Sequence, residues 1–189
     1  FILENFREKV VFEGHNIEFR FKNSDNGIKP LNFRLESGNL VGIMGSSGVG
    51  KTTLLDVLHG KIKPDKGNIY INGYDLYKNA ESLKGLIGYV PQEDLLLEEL
   101  TVYQNLYFNA RLCFGDYTEQ QLNELVEKIL TNLELIEIKN LQVGNVLDKK
   151  ISGGQRKRLN IGLELMREPA VLFVDEPTSG LSSHDSRNV

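Results

Sequence analysis

Residues Leu40–Leu58 read LVGIMGSSGVGKTTLLDVL, and this stretch organises the rest of the chain. Leu40 to Met44 is a short apolar run, the pattern of a strand buried on both faces. Gly45 to Thr52 then spells GSSGVGKT, which fits G-x-x-x-x-G-K-[ST] with a strand expected before it and a helix after it. Gly45, Gly48 and Gly50 can adopt backbone angles that a side chain would forbid. The loop can therefore turn its N–H groups inward as a nest for anionic oxygens. Lys51 adds a full positive charge aimed at the β- and γ-phosphates of a nucleotide. Thr52 offers a hydroxyl to Mg²⁺, a cation that prefers hard oxygen ligands. A helix starting at Lys51 contributes the positive end of its dipole, about half a unit charge.

Composition bounds the remaining possibilities. A chain of 189 residues with a net charge of −4 is long enough for one ordinary domain, and its overall field does not favour nucleic acid. The single cysteine, Cys113, excludes an internal disulfide and any multi-cysteine metal site, and is expected to pack as a small apolar residue in a helix. No apolar run approaches the ~18–20 residues that span a bilayer. The chain opens at Phe1 with no signal-peptide pattern and ends just after a loop, so it is expected to be a piece of a longer protein, cut at its C-terminal side.

Outward from the loop, alternation at Ile17, Phe19 and Phe21 predicts a strand over Val10–Phe21. Lys22–Pro30 reads as a polar turn and Leu31–Glu36 as a second strand, which together make a hairpin. Phe21 is the candidate aromatic for stacking on an adenine face, with packing in the sheet as its plain alternative. Further strands are expected at Asn68–Asn72, after the Lys63–Gly67 turn, and at Leu86–Val90. His15 and His59 have no metal-like partners and read as structural or solvent-facing. Gln92, at the end of the second of these strands, offers an amide oxygen to Mg²⁺ or water.

Thr101 with Gln104 and Thr118 with Gln121 are capping-box patterns. Leu122, Leu125, Val126, Ile129, Leu130 and Leu133 follow at helical spacing. Gly144–Lys150 reads as a loop. Ile151–Arg158 (ISGGQRKR) repeats the capping pattern at Ser152 and Gln155, with Gly153 and Gly154 between them. This second glycine-rich helix N-terminus is suited to an anion. Lys157 and Arg158 are each expected on a solvated helix face. The helix that follows, through Leu159, Ile161, Leu163, Leu165 and Met166, should end near Pro169. Ala170–Val174 is a buried strand that ends in Asp175–Glu176, where α/β sheets place ligands. Asp175 is the candidate Mg²⁺ ligand and Glu176 the candidate general base, a role worth about 10²–10⁴ in rate.

Over nearly its whole length the chain resembles the ATP-binding-cassette (ABC) ATPase family. Gly45–Thr52 resembles its Walker A loop, Gln92 its Q-loop glutamine and Ser152–Gln155 its SGGQ signature. Val171–Glu176 resembles its Walker B strand and Pro177–Ser183 (PTSGLSS) its D-loop. Leu100–Leu112 and Ile151–Leu181 are similar to the G-type exporters and their bacterial relatives.

The resemblance implies an α/β P-loop fold with an ABC-type core sheet, an N-terminal antiparallel β layer and a helical subdomain. One domain over 1–189 would divide into 1–91 (β layer and phosphate-loop core), 92–150 (helical subdomain) and 151–189 (signature helix, Walker B and D-loop). It implies ATP and Mg²⁺, with Gly45, Ser46, Ser47, Gly48, Val49, Gly50, Lys51, Thr52 and Thr53 around the phosphates. Thr52, Gln92 and Asp175 would stand at the metal, and Lys51, Gln92 and Glu176 in catalysis. It also implies a second ABC ATPase domain closing head to tail, so that Ser152, Gly153, Gly154 and Gln155 meet the nucleotide of the other copy. A transmembrane domain, fused or separate, would place the chain on the cytoplasmic face of a membrane. Ser182 departs from the family's D-loop aspartate, Ile151 replaces a leucine conservatively, and His184 is too close to the D-loop to be the switch histidine. Such a chain alone is expected to be a weak ATPase. A soluble ABC ATPase acting on ribosomes or DNA, and a regulatory module that has lost catalysis, are the competing readings.

Overall fold

Strand β1 (Val11–Arg20) pairs antiparallel on both sides, with β2 (Gly27–Glu36) and with β3 (Lys66–Ile71), in a computed structural model that describes residues 9–24, 26–83, 85–145 and 150–179. β4 (Tyr74–Asp75) adds to β3, giving the order β2-β1-β3-β4. The expected hairpin therefore forms. Its second strand starts at Gly27, earlier than the polar composition of 22–30 suggested, and β1 ends at Arg20, leaving Phe21 in the turn. The register of β1 slips around Ile17, next to Asn16 at φ 51°. That irregularity lets two consecutive residues, Ile17 and Glu18, both turn inward. Glu18 is held between Arg20 (3.1 Å) and Lys66 (2.9 Å).

Beneath this sheet Phe12, Ile17, Ile69 and Ile71 are buried, and the Phe12 ring packs against Phe33 and, edge-on, Phe173. Helix α1 (Lys51–Leu58) buries Leu55, Asp56, Val57 and Leu58. Asp56 is engaged by His59 and Lys61, each at 3.2 Å, so of the two roles open to His59, structural or solvent-facing, it takes the structural one. The Tyr77 hydroxyl donates to the Ile62 carbonyl at 2.9 Å, with the Val57 carbonyl at 3.3 Å, and so ties down the chain that leaves α1. A short helix α2 (Ala80–Leu83) precedes β5 (Ile87–Val90).

The buried strand expected at Leu40–Met44 does not form. The segment joins no sheet, and Leu40 and Met44 are 100% and 95% exposed. Apolar composition alone does not make a strand, because backbone N–H and C=O groups need a neighbour's ladder. Among the described residues neither sheet supplies one.

Helices α3 (Val102–Cys113), α4 (Glu119–Asn132) and α5 (Gly153–Leu165) build a second core around Val102, Leu106, Leu122, Val126, Leu130 and Leu159. All three open with reciprocal capping boxes at Thr101/Gln104, Thr118/Gln121 and Ser152/Gln155, as expected. Gly162 is the point of close approach: a Cβ there would lie 2.8 Å from Leu133 Cδ1 and 3.3 Å from Ile129 and Leu106 methyls. Ile161, Leu163 and Leu165 are half-buried, and the inward face of α5 carries Arg156, Lys157 and Asn160 as well as Leu159. Cys113 is half-buried at the end of α3, with Arg167 Nε at 3.0 Å from its Sγ rather than a purely apolar setting.

β5 pairs with β6 (Val171–Val174). The Val171 N–H donates to Leu86 and the Asp175 N–H to Val90, the constant offset of parallel strands. The chain forms two compact units, Phe1–Gly88 with Ala170–Phe173, and Tyr89–Pro169 with Val174–Val189.

Candidate functional site

In the first unit, Gly45–Gly50 forms an exposed turn that leads directly into α1. Gly48 and Gly50 have φ of 75° and 101°, and neither has an atom within 4 Å of where a Cβ would stand. This is the left-handed backbone that the motif's glycines permit. Gly50 occupies the N-cap position of α1 without any side-chain cap, and the first helical bond runs from Leu54 N–H to Gly50 C=O at 2.9 Å. Lys51 Nζ donates to the carbonyls of Gly45 and Ser46, both at 3.1 Å, so the lysine folds back over the loop. Ser46, Ser47, Val49 and Thr52 are exposed, and Thr53 is half-buried. An uncapped helix N-terminus, a lysine over the loop and exposed hydroxyls make a donor set that fits phosphate oxygens. Phe21 is 45% exposed and meets Phe19 edge-on at 5.1 Å.

In the second unit, the parallel ends of β5 and β6 set their outgoing residues side by side. Gln92 Nε2 donates to Glu176 Oε2 at 3.0 Å. Glu176 has φ 44°, a left-handed conformation that costs a non-glycine residue about 1–2 kcal/mol. Such strain concentrates at functional positions. Asp175 is 3% exposed and has the Tyr89 hydroxyl 3.5 Å from its Oδ2. Asp175 and Gln92 offer hard oxygens of the kind Mg²⁺ takes, as does the Thr52 hydroxyl of the first unit.

At the start of α5, Ser152 Oγ accepts from Gln155 N–H at 3.2 Å and Gln155 Oε1 accepts from Ser152 N–H at 2.8 Å. Ser152 is exposed, Gly153 and Gln155 half-buried, and Gly154 buried. The residues that follow correct the sequence reading. Lys157 is 8% exposed, not solvated, and Arg158 is half-buried. Burial pushes the Lys157 ammonium below the usual lysine range, and the charges of Asp175, Asp94 and Glu176 oppose that. Arg156 forms a two-pronged pair with Asp94 at 2.9 and 3.1 Å and also donates to the Gly144 carbonyl at 2.5 Å. Asn160 accepts from Leu95 N–H at 3.3 Å. Arg156, Lys157, Asn160 and Asp94 were all missed from sequence. The one available signal was that three consecutive cations, Arg156–Arg158, cannot all face water on a helix packed on two sides. Pro177–Ser179 are described, whereas Ser182 and His184 lie outside the described residues.

With both parts in view, comparison with known proteins defines the class. Residues 28–179 match the protein family described as "ABC transporter", and the chain belongs to that family. It is 39% identical over 182 residues to ABC transporter G family member 28 of Arabidopsis thaliana, covering 95% of this chain and 16% of that protein. It is 37% identical over 169 residues to ATP-binding cassette sub-family G member 8 of Rattus norvegicus, covering 87% and 24%. The solved structure of cbiO1 from Clostridium perfringens, described as part of the ABC transporter complex cbiONQ, superimposes with a TM-score of 0.82 at 27% identity, covering 95% of this chain and 70% of that one. The fold is thus that of an ABC ATPase, with its antiparallel β layer and its helical part. The chain spans about a fifth of the length of the curated relatives it matches. No helix among the described residues is long and apolar enough to cross a membrane.

Proposed function

We propose that the chain is the ATP-binding and ATP-hydrolysing motor domain of an ABC transporter of the exporter type, working as a head-to-tail pair with a second such domain. The observation that carries this reading is the Gln92–Glu176 hydrogen bond at the paired strand ends, beside the buried Asp175. The open Gly45–Thr52 loop supports it as the phosphate cradle.

In this mechanism the N–H groups of Gly45–Thr53 and the Lys51 ammonium hold the nucleotide phosphates. Thr52, Gln92 and Asp175 would hold Mg²⁺, which supplies charge neutralisation at the phosphate oxygens. Glu176 accepts the proton of the attacking water on a free lone pair of its carboxylate. Gln92 keeps the carboxylate aimed, since its amide nitrogen is the donor in that bond. Ser152–Gln155 meet the nucleotide held by the partner domain, and Phe21 lies against the adenine of the nucleotide held by its own chain. The whole of 1–189 acts as one ATPase domain, with 1–91, 92–150 and 151–189 as its β-rich core, helical part and signature-to-D-loop part. The motor works on the cytoplasmic face of a membrane, coupled to a transmembrane domain that is fused or separate; similarity to G-family transporters supports this reading. The isolated chain hydrolyses ATP weakly, because each complete site needs two domains.

The test is Glu176→Gln in the full-length protein. ATP binding is expected to persist while turnover falls by about 10²–10⁴. Undiminished hydrolysis would falsify the assigned base, and a wild-type protein that binds no ATP would remove the reading altogether.

A further inference from the structure

Helix α5 carries a cation that neither its cap nor the phosphate chemistry uses. Lys157 Nζ donates to the carbonyls of Pro91 at 3.0 Å, Gln92 at 3.4 Å and Asp175 at 3.4 Å. An ammonium has three hydrogens, and here three acceptors surround it. Two belong to the chain leaving β5 and one to the chain leaving β6. The same helix holds the rest of that outgoing segment through Arg156 on Asp94 and Asn160 on Leu95. An ammonium this deeply buried is costly to desolvate, and its three carbonyl partners would lose a donor if it were removed.

We propose that Lys157 is a positioning residue for hydrolysis: by bridging the backbone at Gln92 and Asp175 it sets the spacing of the two strand ends, and so keeps Gln92 within hydrogen-bond reach of Glu176. It touches no substrate. The inference rests on the hydrolytic roles given above to Gln92 and Glu176. It also gives α5 two tasks. Ser152 at its start faces the partner's nucleotide in the proposed pair, and Lys157, little more than a turn on, holds the hydrolytic groups of its own site. Any shift of α5 on closure is thereby felt at both.

The experiment uses the full-length protein, with steady-state ATPase kinetics, binding of a fluorescent ATP analogue and thermal unfolding measured in parallel. Lys157→Met keeps the length of the side chain and removes its donors. A drop in kcat of about 10- to 100-fold is expected, the size of effect that misplacement by about 1 Å produces. KM is expected to stay within about threefold, because binding lies elsewhere. Lys157→Arg, which keeps charge and donors, should recover most of the rate. In a Gln92→Ala background Lys157→Met should cost less than about threefold more, since the two changes disable one geometry. The proposal is overturned by an unchanged kcat in folded Lys157→Met, or by its full additive effect with Gln92→Ala. If Lys157→Met does not fold, Lys157→Gln carries the same expectations and the same refutations. A wild-type protein with no ATPase activity overturns this proposal and the motor reading together. An active wild type whose Glu176→Gln variant is dead while Lys157→Met is normal overturns this proposal alone.

Discussion

Helices α1 and α5 both begin at glycine-rich turns, and their N-termini are finished in opposite ways. α1 starts behind Gly50, with no side chain capping it and with the loop exposed. α5 starts behind Ser152 in a reciprocal capping box, and its next turn is closed by the buried Arg156 and Lys157. The first N-terminus leaves its cap to a ligand. The second supplies its own cap and spends its cations on backbone carbonyls and Asp94 rather than on an anion. Glycine-rich helix starts are thus not equivalent as phosphate sites for their own chain. What distinguishes them is whether a side chain already satisfies the first-turn N–H groups.

The sharpest way to break the comparison is Lys51→Ala. If α1 is the phosphate end, MgATP affinity should fall about a hundred-fold, the worth of a strong charge-assisted bond. Isothermal titration reads this directly, and an unchanged affinity would place the phosphates elsewhere. Gly162→Val tests the packing of α5: three methyl groups stand where its side chain must go, so overpacking should destabilise the protein by about 2–3 kcal/mol in urea unfolding. Ser152→Ala removes the cap alone, and about 1 kcal/mol should be lost. ATP affinity of a single domain should not move, because this helix start is not the phosphate site of its own chain.

The smallest expected effect concerns the far end of α1. Burial, with the Asp75 charge adding to it, pushes the Tyr77 hydroxyl up to about 12. A folded value raised above the unfolded one means a contribution intact below pH ~10 and lost as pH climbs through ~12. Tyr77→Phe should cost about 0.5 kcal/mol at neutral pH through the lost bond to Ile62. Its stability should then fall less steeply than that of the wild type between pH 10 and 12. Identical slopes for the two proteins in that interval would show that Tyr77 is not buried as described.

Much of the fold was readable from residues close together in the chain. All three capping boxes formed where a Ser or Thr and a Gln stand three apart. The α4 stripe reached the core through Leu122, Val126, Ile129 and Leu130. In the turn before α1, Gly48 and Gly50 stand at positive φ, as their lack of a side chain permits. Two of the differences between sequence and structure share a reason. Leu40–Met44 was read as a buried strand on composition, yet burial depends on a neighbouring strand that the segment itself does not specify. Lysines on helices mostly face water, and Lys157 is buried only because the chain leaving β5 and β6 covers it.

The amino-acid sequence by itself determined the class of protein, the phosphate loop and the helix starts, because glycine torsions, caps and helical stripes act within four residues of one another. Only the tertiary structure decided that Gln92 meets Glu176 and that Lys157 is a buried clamp. Those contacts join residues 84, 66, 65 and 18 positions apart. No local pattern encodes such a distance. It follows from two parallel strands ending side by side under one helix.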